Sequence, residues 1–354
     1  MQKQKNEDRI LKIGILGAGS LGCAIGGVLT EAGHEVWLIN RNADQVEAMN
    51  ARGLILRDEG KDRTVKVHAA TTAKDAGVVD LVVVLVKSFH TGQAMQGAMS
   101  LLGPDTAVLS LQNGVGHEDI LADIVGRERV LAGKTYAGGT QLGVAHITIG
   151  TRGKDTHIGE LDGRLTDRVQ HIARVFTAAG LQTTVSANIM ATIWDKLLVN
   201  VATGALSGIT GLPYGELYQV PEVEACAVAA VAEAMAVAKA SGVTLSTSDP
   251  RQPWVKAAVG LPFEFKASML QSLEKGSATE IDYVNGAVVA QGLKVGVPTP
   301  VNQALVACLK GIERRLVSNM APTLAAARAP LPPEGSVPCL GRPGAAAIPS
   351  TSSV

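Results

Sequence analysis

The sequence predicts an α/β fold: a Rossmann-type N-terminal domain followed by an all-α C-terminal domain. Three observations predict it. An apolar run, Leu11–Leu16, leads into the glycine turn Gly17-Ala18-Gly19-Ser20-Leu21-Gly22 and then the helix-like stretch Cys23–Thr30. Strand-like and helix-like segments alternate over the first half of the chain, the pattern of a doubly wound parallel sheet. From Asn188 to Val317 the chain then reads as helix after helix.

The glycine turn has the form GxGxxG between a buried strand and a helix start, which is the context that gives this motif its meaning. Gly17 permits the tight turn, Gly19 lets the backbone approach a pyrophosphate, and Gly22 lets helix and strand pack closely. The unpaired N–H groups of the helix start then face the anion. His34–Ile39 reads as the second strand of the unit. It ends in Asn40-Arg41-Asn42, with no carboxylate to accept from a ribose 2′-hydroxyl. Arg41 suits a 2′-phosphate instead, so NADP(H) is favoured, with Asp44 keeping NAD in view.

Further strands are expected at Val65–Ala69, at the dense Val/Leu run Asp80–Val86, and at Thr106–Leu111, which ends in Gln112-Asn113-Gly114. Val130–Tyr136, His146–Ile149 and Asp155–Ile158 are shorter and more alternating, and read as a mixed, partly antiparallel edge of the same sheet. Thr166–Ala179 is an amphipathic helix and Gln182–Val185 the last strand. The domain boundary is placed near residue 187, giving 1–186 as the NADP-binding domain and 187–317 as the helical substrate domain. Within the second, Ala225–Ala240 is nearly apolar all round and is expected to be a central buried helix. From 318 to 354 the chain is Ala/Pro/Gly/Ser-rich, a composition expected to stay disordered.

A length of 354 residues fits two domains of roughly 150 residues or more. The 32 basic and 32 acidic residues cancel, with no basic block, which argues against nucleic acid or an anionic membrane as partner. Four scattered cysteines form no metal or disulfide pattern, and no uninterrupted apolar run reaches membrane-spanning length. These features lead to the expectation of a cytoplasmic protein with a small-molecule substrate. The Ala-rich helix offers a surface for a homodimer.

Hydride transfer to a carbonyl needs a proton donor for the developing alkoxide. Lys196 and Asn200 lie at i and i+4 on a helix otherwise lined by Ile193, Leu197, Leu198, Val199 and Val201. Partial desolvation there would lower the lysine's pKa toward that of a useful general acid; a snorkelling lysine fits the pattern equally well. Glu280 follows Ser277 at capping-box spacing, and on spacing alone it reads as a helix cap. Ser268 reads equally as a helix residue or a substrate hydroxyl. Lys87 and Asn113 end neighbouring strands on the side where α/β sheets bind ligands. Gly133-Lys134-Thr135 looks like the end of a P-loop, but Glu128 stands where its first glycine is required. The seven histidines show no paired ligand spacing, so no metal is expected.

These pieces together resemble the ketopantoate reductase (2-dehydropantoate 2-reductase) family from about Leu11 to Arg315. The resemblance rests on Gly17–Gly22, Lys87, Gln112-Asn113-Gly114 and Lys196-Leu197-x-x-Asn200. It rests also on Ser268-Met269-Leu270-Gln271 and Thr279-Glu280-Ile281-Asp282-Tyr283-x-Asn285-Gly286. It implies a Rossmann domain paired with a helical domain of the 6-phosphogluconate dehydrogenase C-terminal type, and reduction of ketopantoate to pantoate by NADPH in the cleft between them. By matching position, Lys196 would be the general acid and Glu280 would hold the substrate's hydroxyl end. Asn200 and Ser268 would bind substrate, and Asn113 and Lys87 would lie beside the cofactor. Two positions depart from the family pattern: Gly204 and Tyr214 stand where many members carry asparagine. Two alternatives therefore stay open, a dehydrogenase of another small 2-oxo acid or imine, and a non-catalytic NADP(H)-binding sensor.

Overall fold

A computed structural model describes residues 9–327. The chain opens with β1 (Lys12–Leu16), α1 (Ser20–Glu31), β2 (Glu35–Ile39) and α2 (Ala43–Arg52). A hairpin of β3 (Leu54–Asp58) and β4 (Lys61–Val65) precedes β5 (His68–Ala70) and β6 (Val79–Val84). Then come α3 (Thr91–Gln96), β7 (Leu102–Ser110), α4 (His117–Val125) and β8 (Val130–Thr135). The first half closes with β9 (Gly138–Gly143), β10 (His146–Gly150), β11 (Thr156–Glu160), α5 (Asp167–Ala178) and β12 (Thr183–Val185).

The larger sheet has eight strands in the order β12-β11-β8-β7-β6-β1-β2-β5. Its pairs are parallel except β11 against β8. Strand alternation sends successive side chains to opposite faces. Ile13, Ile15, Leu81 and Val83 join the core on one face, whereas Leu16, Val82 and Val84 join a separate core on the other with Met95 of α3 and Leu121 of α4. Burial on both faces is why the central strands read as unbroken Val/Leu runs.

A second, four-stranded sheet in the order β4-β3-β10-β9 covers the outer side of α1. The helix is squeezed between the two sheets: a Cβ at Gly26 would lie 2.4 Å from Leu38 of the large sheet, and one at Gly27 would lie 2.8 Å from Leu56 of the small one. This sheet corrects two expectations. His146–Ile149 belongs to it and is no edge of the main sheet, because its inward Ile147 and Ile149 pack beneath α1. The expected single strand Val65–Ala69 is two strands, β4 ending in the small sheet and β5 starting in the large one. Sequence reading missed β9, whose glycines have low strand propensity.

The second half is helical: α6 (Ile189–Thr210), α7 (Tyr214–Leu217), α8 (Pro221–Ala240), α9 (Gln252–Ala258), α10 (Ser268–Glu274), α11 (Asn285–Val295) and α12 (Pro300–Ala327). The central helix is α6 and not the Ala-rich α8, another correction. α8 fully buries a single stripe, Ala227, Ala230, Val231, Ala234, Val237 and Ala238, while Val223, Cys226 and Met235 beside it are only partly buried against the same core. α6 has the length and mean hydropathy of a membrane span, but 67% of that stretch is buried inside the protein. α12 continues to Ala327, so the first part of the segment expected to be disordered is helical, in keeping with the helix propensity of its alanines. The rest of that segment, 328–354, lies outside the described residues.

The two halves meet at backbone level as well as through side chains. Val115 N–H donates to the Tyr283 carbonyl at 3.2 Å. Gly114 beside it has φ +97°, and a Cβ there would sit 2.3 Å from that same carbonyl oxygen. Gly114→Ala combines a left-handed conformation with a backbone collision, and is expected to destabilise the chain by about 1–3 kcal/mol. Urea unfolding of the variant checks this.

Candidate active site

The site forms where the carboxyl ends of β1, β2, β6, β7 and β8 face the helical half. Gly17, at φ +102°, turns the chain sharply after β1, and a Cβ on it would strike Val86 N at 2.4 Å. The N–H groups of Gly17 and Ala18 both donate to the Ile39 carbonyl, at 3.1 and 2.9 Å. The Asn40 side-chain amide donates to the Ala18 carbonyl at 2.6 Å. The glycine turn is thus fastened to the end of β2. At Gly19 a Cβ would meet nothing within 4 Å, and no side chain caps the start of α1. Open space in front of uncapped helix N–H groups is what a pyrophosphate requires. Leu21 and Ser20 continue into the first turn of the helix.

Arg41 is exposed at the end of β2, and its guanidinium lies 3.1 Å from His90 Nε2. Burial and the neighbouring Arg41 charge hold the His90 pKa below its ordinary value. The neutral ring nitrogen accepts from the guanidinium, whose remaining N–H groups can donate to an anion there, and no carboxylate competes at Asn40 or Asn42. His90 went unnoticed in the sequence because a histidine just past a strand end has no distinguishing pattern.

Lys196 leaves α6 toward the sheet. Its ammonium donates to Asn113 Oδ1 at 2.7 Å and to the Thr135 carbonyl at 2.6 Å. It also overhangs the Tyr136 ring, 5.4 Å from the centroid. Burial, reinforced by the charge of Lys134, lowers its pKa to about 8, with Glu280 acting in the opposite sense. A lysine in that range carries a proton near neutrality and can release it. Neither neutral oxygen partner removes the proton; they aim it.

Glu280 is largely buried and is held from the sheet side. One carboxylate oxygen accepts from the Ser88 N–H at 3.0 Å and from the Ser88 hydroxyl at 2.5 Å. The other lies 3.6 Å from the half-exposed Lys87 ammonium. The capping-box reading fails, because Glu280 turns away from Ser277 and reaches across the cleft. Thr279 beside it is anchored separately, its N–H and hydroxyl donating to Glu313 at 2.7 and 2.6 Å. Asn113 is fixed too, its carbonyl lying 2.9 Å from His117 Nε2.

The structure thus brings Lys196, Asn113, Glu280 and Lys87 to one cleft. Asn200, one turn beyond Lys196, is half-buried and its side chain makes no hydrogen bond among the described residues. Ser268 begins α10, is exposed, and its hydroxyl makes no hydrogen bond among the described residues. At the two departures from the family pattern, space is filled by other means. The Met269 side chain covers Gly204, with its sulfur 3.4 Å from where a Cβ would stand, and the Tyr214 hydroxyl donates to Thr203 at 2.8 Å.

Residues 13–163 match the family described as ketopantoate reductase PanE/ApbA, and residues 188–313 match its C-terminal counterpart. A 2-dehydropantoate 2-reductase of Archaeoglobus fulgidus is 32% identical over 87% of this chain and 100% of its own. This chain belongs to the ketopantoate reductase family. Its relatives include a 2-dehydropantoate 2-reductase of Halobacterium salinarum, 33% identical over 83% of this chain and 96% of that one. Among solved structures, a PanE/ApbA family ketopantoate reductase from Ralstonia eutropha is 36% identical, with TM-score 0.79, covering 86% of this chain and 99% of its own. D-mandelate dehydrogenase, solved with NADH and anilino(oxo)acetate, is 28% identical with TM-score 0.80, over 86% of this chain and 99% of its own. The family is one of oxidoreductases that use a nicotinamide cofactor, and its members differ in substrate.

Glu280 is the nearby anion that keeps the Lys196 pKa from falling further. Glu280→Gln is therefore expected to move the titration of Lys196 below about 8. NMR of the Lys196 side chain across pH reads that shift without relying on turnover.

Proposed function

We propose that this protein is an NADPH-dependent reductase of a small 2-oxo acid, with 2-dehydropantoate as the leading candidate and pantoate as its product. The observation that carries the reading is the position of Lys196: a partly desolvated ammonium aimed across a cleft by two fixed neutral oxygens, opposite a glycine turn shaped for a dinucleotide. In this reading 1–186 serves the cofactor and 187–317 the substrate.

Gly17 to Gly22 and the start of α1 would hold the pyrophosphate, Asn40 and Arg41 the adenosine ribose with its 2′-phosphate, and Lys87 and Asn113 the nicotinamide end. Bound there, the cofactor supplies a hydride to the substrate's C2. Lys196 donates its Nζ proton to the keto oxygen as negative charge develops on it. Asn113 Oδ1 and the Thr135 carbonyl keep the ammonium oriented throughout. Glu280, pinned by Ser88, accepts a hydrogen bond from the substrate's hydroxyl end, while Asn200 and Ser268 contribute polar groups at the cleft wall.

A second reading has its own observation. Gly204 and Tyr214 supply no free amide to the cleft, since Met269 covers one and Thr203 takes the hydroxyl of the other. A site without those donors suits a 2-oxo acid with a less polar side chain. Steady-state NADPH oxidation with ketopantoate, pyruvate, 2-oxoisovalerate and 2-oxoglutarate separates the two readings. A non-catalytic sensor would oxidise NADPH with none of them.

Lys196→Ala is expected to lower kcat by roughly 10²–10⁴-fold, with NADPH affinity nearly unchanged. Equal losses in both would assign Lys196 a structural role. In the wild type the reductive rate should fall as pH rises past about 8, where Lys196 loses the proton it must donate. Arg41→Ala should weaken NADPH by roughly 10-fold or more, the worth of a charge-assisted hydrogen bond, and leave NADH within twofold. Fluorescence titration with both cofactors decides it.

A further inference from the structure

Lys134 is the residue of the false P-loop segment, Gly133-Lys134-Thr135, and nothing in the mechanism above uses it. It sits at the end of β8, next to the carbonyl that orients Lys196. The residue is 9% exposed. Among the described residues its ammonium has a single hydrogen bond, to the Tyr136 hydroxyl at 3.4 Å, and it lies 4.5 Å from the centroid of that ring. Lys196 overhangs the same ring.

No carboxylate among the described residues forms an ion pair with Lys134. Asp195 and Asp155 act on it only from a distance, Lys256 adds a further positive charge, and burial disfavours its charged form. One oxygen of Asp195 already accepts from the Ser246 N–H at 3.0 Å. A buried cation without a counter-ion is costly unless a ligand completes the pair. The charge count of the cleft agrees. Among the described residues Glu280 is the carboxylate that forms an ion pair there, and it serves Lys87, while Asp195 and Asp155 act on Lys134 without contact. Neither Lys196 nor Lys134 has a carboxylate of the described residues in ion-pair contact.

We propose that Lys134 is the carboxylate-recognition residue of this cleft: its ammonium takes the carboxylate of a 2-oxo acid while Lys196 addresses the neighbouring keto oxygen. The two functional groups of such a substrate sit on adjacent carbons, and the two ammoniums sit around one aromatic ring. The carboxylate supplies the negative charge that the pair of lysines lacks. This inference rests on the 2-oxo acid reading above.

The test uses the full chain with NADP(H) bound and two ligands titrated by calorimetry. Oxamate has the shape of a 2-oxo acid with a carbonyl that resists hydride, and ethyl oxamate is its neutral ester. The wild type is expected to prefer oxamate. Lys134→Gln should weaken oxamate by roughly 10–100-fold, as expected for loss of a charge-assisted contact, and leave the ester within twofold. Lys134→Arg should restore most of the affinity, and thermal melts of both variants report on folding. Unchanged oxamate affinity in Lys134→Gln, an equal loss for both ligands, or no preference for oxamate in the wild type would each overturn the proposal. Parallel turnover assays with the 2-oxo acid panel keep the two readings apart. Lys134-dependent oxamate binding without any turnover would uphold the proposal and sink the reductase reading. Turnover with a KM indifferent to Lys134→Gln would do the reverse.

Discussion

The anchoring of the Lys196 ammonium between Asn113 Oδ1 and the Thr135 carbonyl is the constraint on which the site depends. A lysine withdrawn from water needs hydrogen-bond acceptors, and any carboxylate placed directly against it would have raised its pKa and kept its proton. Neutral oxygens satisfy the donors without that effect. The chain supplies one from a side-chain amide just past β7 and the other from the backbone at the end of β8, on the side of the sheet where ligands bind. The large sheet thus serves as the fixed body against which α6 aims one side chain.

The order of strands follows from the same need. Strands β6, β7 and β8 run side by side, so Ser88, Asn113 and Thr135 emerge at one edge from three successive loops and strand ends. Each meets a group from the helical half: Ser88 meets Glu280, while Asn113 and Thr135 meet Lys196. The small sheet has a different part to play. By covering α1 from outside it buries a helix whose inner face already packs closely on the large sheet at Gly26.

What the sequence revealed and what it hid divide along the range of the interactions. The glycine turn was legible because its parts lie within six neighbouring positions and its strand and helix contexts are local. Lys196 was legible as a polar residue on an apolar helix, but its partners were not. Asn113 is 83 positions away and Ser88 is 192 from Glu280. Thr135 contributes a backbone carbonyl, which any residue type possesses, so no side-chain pattern announces it. Glu280 showed the opposite failure. Its local spacing with Ser277 suggested a cap, and a distant hydrogen bond to Ser88 prevailed. The second sheet was hidden because β3 and β10 are far apart in sequence and β9 is glycine-rich.

The backbone contact between Val115 and Tyr283, the Ser88–Glu280 pair and the anchoring of Lys196 on Asn113 and Thr135 all join the sheet half to the helical half. Mechanically, the two walls of the cleft are riveted along its floor. The entropy lost in bringing the halves together is spent when the chain folds. A ligand entering the slot finds the opposing groups already in register, and its binding energy is free for the chemistry.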